Sequence, residues 1–132
     1  MYNTDALVQA AIEAREQAYA PYSHFHVGAA VVTAEGVIYT GCNIENASYG
    51  ATVCAERVAL FKAVSEGARD IEAIAIVYGA DQLARPCGIC RQVLAEFNPR
   101  MRVVCANTEG ECEVCGLDDL LPFGFGPGNL AE

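Results

Sequence analysis

Cys54-Ala55-Glu56-Arg57 and Pro86-Cys87-Gly88-Ile89-Cys90 are the two stretches on which the reading of this chain turns. Together they offer three cysteines with the spacing of a metal site. Structural zinc sites are closed by four protein ligands, whereas catalytic ones keep three and leave a position for water. Glu56 stands two residues past Cys54, close to the metal position and not needed as a ligand. Three thiolates and a spare carboxylate point to zinc-assisted hydrolysis, with Cys54, Cys87 and Cys90 as ligands and Glu56 as the proton carrier.

Local physics favours the thiolates. Cys54 opens an apolar helical pattern through Ala55, Val58, Ala59, Leu60, Phe61, Ala63 and Val64. Cys87 and Cys90 open a second one just after a proline, and their three-residue spacing sets both on one helical face. A cysteine at a helix N-terminus is acidified by the dipole and the free N–H groups. Three thiolates on one zinc ion leave an excess of negative charge that would blunt it as an activator of water. The two helix starts offset part of that charge. Arg57, three residues after Cys54, is placed to hydrogen-bond the sulfurs and compensate more.

Outward from these motifs, the pattern predicts a helix over 5–19, capped by Thr4-Asp5 and stopped by Pro21. Strands are expected over 25–33 and 37–42, joined by the short turn Ala34-Glu35-Gly36. The polar stretch 41–52 reads as a loop at the sheet edge. A helix over 54–65 ends near Gly67. A strand over 71–78 is apolar throughout and so expected to be buried on both faces. A helix over 88–97, a strand over 102–106, a weaker strand over 111–114 and a short helix over 117–121 follow. The alternation from the second strand onward predicts parallel neighbours linked by crossover helices, with an antiparallel hairpin in front. The expected fold is α/β: a three-layer α/β/α sandwich with a mixed five-stranded sheet, in one domain spanning 1–132.

The 132 residues suffice for one core, and 53% of them are hydrophobic, which is compatible with further burial between subunits. No apolar run approaches the ~18 residues that span a bilayer. The first residues lack the pattern of a signal peptide, so a cytoplasmic protein with no membrane partner is expected. The net charge is −9, with 8 basic and 17 acidic residues. A surface that grips a polyphosphate backbone carries a basic patch, and none is visible, which disfavours nucleic acid as a partner.

Seven cysteines in a chain without a secretion signal suit metal binding and core packing better than disulfides. Cys112-Glu113-Val114-Cys115 is a second CxxC. It falls in an expected strand, where the two thiols point to opposite faces, and has no partner ligands at suitable spacing. It reads as ordinary packing or surface cysteine, as do Cys42 and Cys105 as small core residues. His24 and His26 have no other ligand beside them and read as surface or internally satisfied histidines.

The pattern CAE, 29 intervening residues, then PCGxC resembles the zinc-dependent nucleoside deaminases. More closely, the chain resembles the small homotetrameric cytidine deaminases. The matching stretches are Tyr19-Ala20-Pro21-Tyr22-Ser23, Phe25 with Val27-Gly28-Ala29-Ala30, Gly41-Cys42-Asn43-Ile44-Glu45-Asn46-Ala47, the two cysteine motifs with Arg91-Gln92, and Leu120-Leu121-Pro122. The resemblance implies one zinc per chain and hydrolytic deamination of cytidine and 2′-deoxycytidine to the uridine products and ammonia. Glu56 would shuttle protons while water attacks C4. It implies that Phe25 lines the base pocket, that the Ala55 N–H donates to the pyrimidine carbonyl, and that Asn43 and Glu45 bind the sugar. It implies that Tyr49 and Phe125 (with Phe123 the nearby competitor) reach into a neighbouring subunit's site, in a homotetramer with active sites at subunit interfaces. The expected partner is a small nucleoside.

Overall fold

Residues 28–33, Gly-Ala-Ala-Val-Val-Thr, are buried at every position, as in a strand covered on both faces. The computed structural model of the chain describes residues 2–130. This strand, β1 (Gly28–Thr33), is joined in one sheet by β2 (Ile38–Cys42), β3 (Ile71–Val77), β4 (Arg102–Ala106) and β5 (Cys112–Gly116), in the order β2-β1-β3-β4-β5. Only β3 and β4 are parallel neighbours; the other three adjacent pairs are antiparallel. The expectation of parallel neighbours from the second strand onward is therefore corrected. β2 and β3 run the same way, as a helical crossover requires, but β1 lies between them.

Strand alternation sorts the apolar residues onto two faces. Ala30, Val32, Ala73, Ala75, Val77, Val104 and Ala106 meet helix α1 (Thr4–Arg15) through Leu7, Val8 and Ala11. The alanines on this face let the helix sit low on the sheet. Gly28 makes the closest approach: a Cβ there would stand 2.0 Å from the Ala11 carbonyl oxygen. The opposite face carries larger side chains, Val31, Ile74, Ile76 and Val103, against Ala59, Leu60 and Ala63 of α2 (Ala55–Ser65) and Leu94 of α3 (Gly88–Phe97). The result is the expected three-layer α/β/α arrangement on a mixed sheet. Among the described residues no helix is long and apolar enough to cross a membrane.

Several boundaries differ from expectation by one to four residues, and four of them have a clear local reason. Asn3, not Thr4-Asp5, caps α1 by accepting from the Ala6 N–H at 3.0 Å. The helix ends at Arg15 rather than Tyr19, because Tyr19 pairs its backbone with Asn43 and Glu45 as an isolated bridge beside Ile44. β1 begins at Gly28, not Phe25, since the Asn43 side chain replaces the ladder there. Its Oδ1 accepts from the Val27 N–H at 2.9 Å and its Nδ2 donates to the Phe25 carbonyl at 2.7 Å. β5 starts at Cys112 because Glu111 belongs to a turn closed by Asn107, whose Oδ1 accepts from both the Glu109 and Glu111 N–H groups. The short helix α4 (Leu117–Leu120) then follows directly.

Candidate active site

Cys54 is the N-cap of α2 and Cys87 the N-cap of α3, with Cys90 in the first turn of α3. The two helix starts converge on the same side of the sheet. The Cys54, Cys87 and Cys90 sulfurs all lie within 4.8 Å of one another, and the Cys54–Cys87 pair is 4.0 Å apart. Sulfurs placed tetrahedrally at ~2.3 Å from a zinc ion sit roughly 3.8 Å apart. The donor set is therefore soft, compact and matched to zinc. Helix starts supply it for a physical reason: their first N–H groups lack intrahelical partners and favour the anionic sulfur. The Cys87 sulfur accepts from the Cys90 N–H at 3.5 Å.

The electrostatics run the same way. Cys54 is drawn down to about 5, first by the Cys90 thiol that donates to it and then by Arg57. Cys90 is pushed up, chiefly because its hydrogen is held by Cys54. The Arg57 Nη2 donates to the Cys54 sulfur at 3.5 Å, the contact expected from the i to i+3 spacing. Glu56 is 3% exposed. Burial raises its carboxyl to about 7, opposing the lowering by its own backbone N–H, while the Cys54 charge adds a smaller upward push. A buried carboxyl poised near neutrality beside a metal donor set can both accept and deliver a proton.

A cavity of about 270 Å³ opens over this cluster, lined by Cys54, Ala55, Glu56 and Cys87 on one side and by Phe25, Asn43, Glu45 and Tyr78 on others. An adjoining cavity of about 350 Å³ shares Ser23, Glu45 and Thr52 and adds Tyr22 and Tyr49. The Glu45 carboxylate is anchored by its own chain. Its Oε1 accepts from the Tyr22 and Ser23 N–H groups at 2.9 and 3.1 Å, and its Oε2 accepts from the Ser23 hydroxyl. The Ser23 hydroxyl holds that carboxyl below the usual range.

The fold thus gathers Phe25, Asn43, Glu45, Cys54, Ala55, Glu56 and Cys87 around one cavity, with Cys90 and Arg57 beside it. Tyr49 is not on that cavity. It sits on the 3-10 turn Tyr49–Ala51, 75% exposed, with its ring edge-on to Tyr22. Phe125 is farther removed, in the tail, where its carbonyl accepts from the Gln92 Nε2 at 2.7 Å. It lines a separate cavity with Phe123, Leu121 and Ala95. The second CxxC lies on edge strand β5; Cys115 packs on the core and Cys112 faces outward. Sequence reasoning missed Tyr78, Ser23 and Thr52. Tyr78 could have been found from its place directly after β3, since the carboxyl ends of parallel strands are where open α/β sheets put their sites. Ser23 and Thr52 carry no such signal.

Residues 1–107 match the family model described as the cytidine and deoxycytidylate deaminase zinc-binding region. A cytidine deaminase of Halalkalibacterium halodurans is 52% identical over 120 residues, covering 90% of this chain and 91% of that protein. One from Sporosarcina psychrophila is 48% identical over 130 residues, covering 98% and 96%. The crystal structure of cytidine deaminase from Burkholderia pseudomallei superposes with a TM-score of 0.87 at 51% identity, covering 91% of this chain and 97% of that one.

Proposed function

We propose, because the chain belongs to the cytidine and deoxycytidylate deaminase family, that it deaminates cytidine and 2′-deoxycytidine hydrolytically, releasing ammonia and the uridine products within pyrimidine salvage. The family is one of zinc-binding deaminases. The observation that carries the reading is the meeting of three cysteine sulfurs with a buried glutamate at the floor of one small cavity. Among the described residues its lining includes an anchored carboxylate and no Lys or Arg. A 5′-phosphate would find no cation there and would face Glu45, which favours the free nucleoside over the nucleotide.

Cys54, Cys87 and Cys90 would hold the zinc, which supplies Lewis acidity that brings a water's pKa toward neutrality. The chain's own residues do the rest. Glu56 takes a proton from the attacking water and delivers it to ring N3, which makes C4 more electrophilic. A C4–O bond forms and C4 becomes tetrahedral. Glu56 then carries the second proton to the exocyclic amine, the C4–N bond breaks, and ammonia leaves as the C4 carbonyl forms. Phe25 faces the base, and the Ala55 N–H, at the start of α2, donates to the pyrimidine carbonyl. Glu45 accepts from a sugar hydroxyl in an orientation already set by Tyr22 and Ser23. Asn43 has one amide hydrogen and one carbonyl lone pair left for the sugar after serving Phe25 and Val27. Arg57 offsets thiolate charge.

The same proposal treats residues 1–132 as one domain, supported by the single five-stranded sheet. It assigns a homotetramer with sites at subunit interfaces, supported by the exposure of Tyr49 and by Phe125 lying away from its own chain's site. It assigns a cytoplasmic setting, in which three zinc-binding thiols stay reduced. The test is ammonia release from cytidine, 2′-deoxycytidine, their 5′-monophosphates and cytosine, with zinc measured on the same sample. Release from the two nucleosides with one zinc per chain is expected. Release from the monophosphates alone would overturn the nucleoside assignment.

A further inference from the structure

Tyr78 is the residue on which three parts of the site meet. It follows β3 directly, lines the cavity with Cys54, Glu56 and Cys87, and is half-buried against the core. Its ring stands edge-on to Phe25, with centroids 5.0 Å apart and planes at 63°. Its hydroxyl donates to the Arg85 carbonyl. Its own carbonyl accepts from the Arg15 Nε, which also donates to the His26 carbonyl at 3.1 Å. Arg15 thereby ties α1 to both chain ends where β1 and β3 part.

We propose that Tyr78 is a positioning residue for this site, setting Phe25 through its ring and the Cys87 loop through its hydroxyl. The inference rests on the deaminase reading for what Phe25 faces, and on the fit of the three sulfurs to zinc for what Cys87 holds. An edge-to-face pair restricts the ring of Phe25, a residue that is 46% exposed even with Tyr78 beside it. The hydroxyl acts at a sensitive point. Arg85 precedes Pro86, so its backbone is confined to extended conformations and its carbonyl is rigidly joined to the proline that leads into Cys87. The loop 79–86 is held elsewhere by Thr108 on the Gly79 carbonyl, by the Ala84 N–H on Ala106, and by the Arg91 Nε on the Pro86 carbonyl. Of these restraints, the Tyr78 hydroxyl is the one that comes from a side chain lining the cavity. Base wall and metal loop are coupled through one residue.

The two roles separate by substitution. Tyr78→Phe keeps the ring and removes the hydroxyl. It is expected to release zinc to a competing chelator about 2- to 10-fold faster than the parent, the range set by one net hydrogen bond, with KM for cytidine unchanged. Tyr78→Leu and Tyr78→Met remove the ring together with the hydroxyl, so they are read against Tyr78→Phe with zinc added to saturation, and two replacements guard against one that folds poorly. Relative to Tyr78→Phe they are expected to raise KM about 2- to 10-fold, the range of one aromatic pair, with kcat held within twofold. Equal zinc release from parent and Tyr78→Phe would overturn the hydroxyl role, and an unchanged KM in the two non-aromatic variants would overturn the ring role. Chelator release needs no turnover. A parent that deaminates nothing would therefore sink the deaminase reading while the zinc comparison still decided the role of Tyr78 at the Cys87 loop.

Discussion

Gly41 of β2 and Ala59 of α2 touch backbone to backbone: a Cβ on Gly41 would lie 2.4 Å from the Ala59 nitrogen and 2.7 Å from the Ala55 carbonyl oxygen. This contact sets how closely the helix that begins at Cys54 and Glu56 approaches the sheet. Gly41→Ala should shift α2 outward and destabilise the fold by about 1–3 kcal/mol, the usual range for overpacking a tight contact. Denaturant unfolding of the two proteins measures it, and an unchanged midpoint would show that the helix is free to move.

Glu56→Gln keeps the shape of the side chain and removes its proton chemistry. Zinc content should stay at the parent level while turnover of cytidine falls by at least ~10²-fold, the usual scale for a positioned acid–base group. A variant that turns over near the parent rate removes Glu56 from the mechanism.

Arg57→Gln removes the guanidinium that donates to the Cys54 sulfur. The site then carries more uncompensated negative charge and activates water less well. Turnover at saturating zinc should drop by roughly 10-fold or more, the lower end of what one charge-assisted hydrogen bond contributes. Steady-state rates with added zinc decide it, and unchanged rates would leave Arg57 a packing residue.

Glu45→Gln replaces an anchored carboxylate with a weaker acceptor. The expected result is a KM for cytidine raised by about 10-fold or more, with zinc content unaltered. Because Glu45 also holds the Tyr22 and Ser23 N–H groups, unfolding should be followed on the same sample. A KM shift without a stability loss assigns the carboxylate to the substrate; a stability loss with KM unchanged assigns it to the loop alone.

The metal cluster was legible because its logic is local. Each cysteine needs only a helix start beneath it, and the apolar pattern after Cys54 and after Cys87 announces one. The helix over Gly88–Phe97 and the strand over Arg102–Ala106 were read to the residue for the same reason. The ends of α1 and β1 were not, because the Tyr19 bridge and the Asn43 side chain belong to partners more than fifteen residues away. Tyr78 was missed since its partners, Phe25 and Arg85, are chosen by the turn of the chain around the site and not by a motif.

Sequence alone thus determined that three cysteines stand at two helix starts, that Glu56 lies beside the first of them, and the three-layer class, all of which follow from periodicity and short-range spacing. Tertiary structure alone decided that β1 lies between β2 and β3, that Phe25 and Glu45 share a cavity with Glu56, and that Phe125 does not join them within the chain. Strand order and side-chain convergence depend on pairings between distant segments, whose free energies are set by the packing of whole faces and are written in no single stretch.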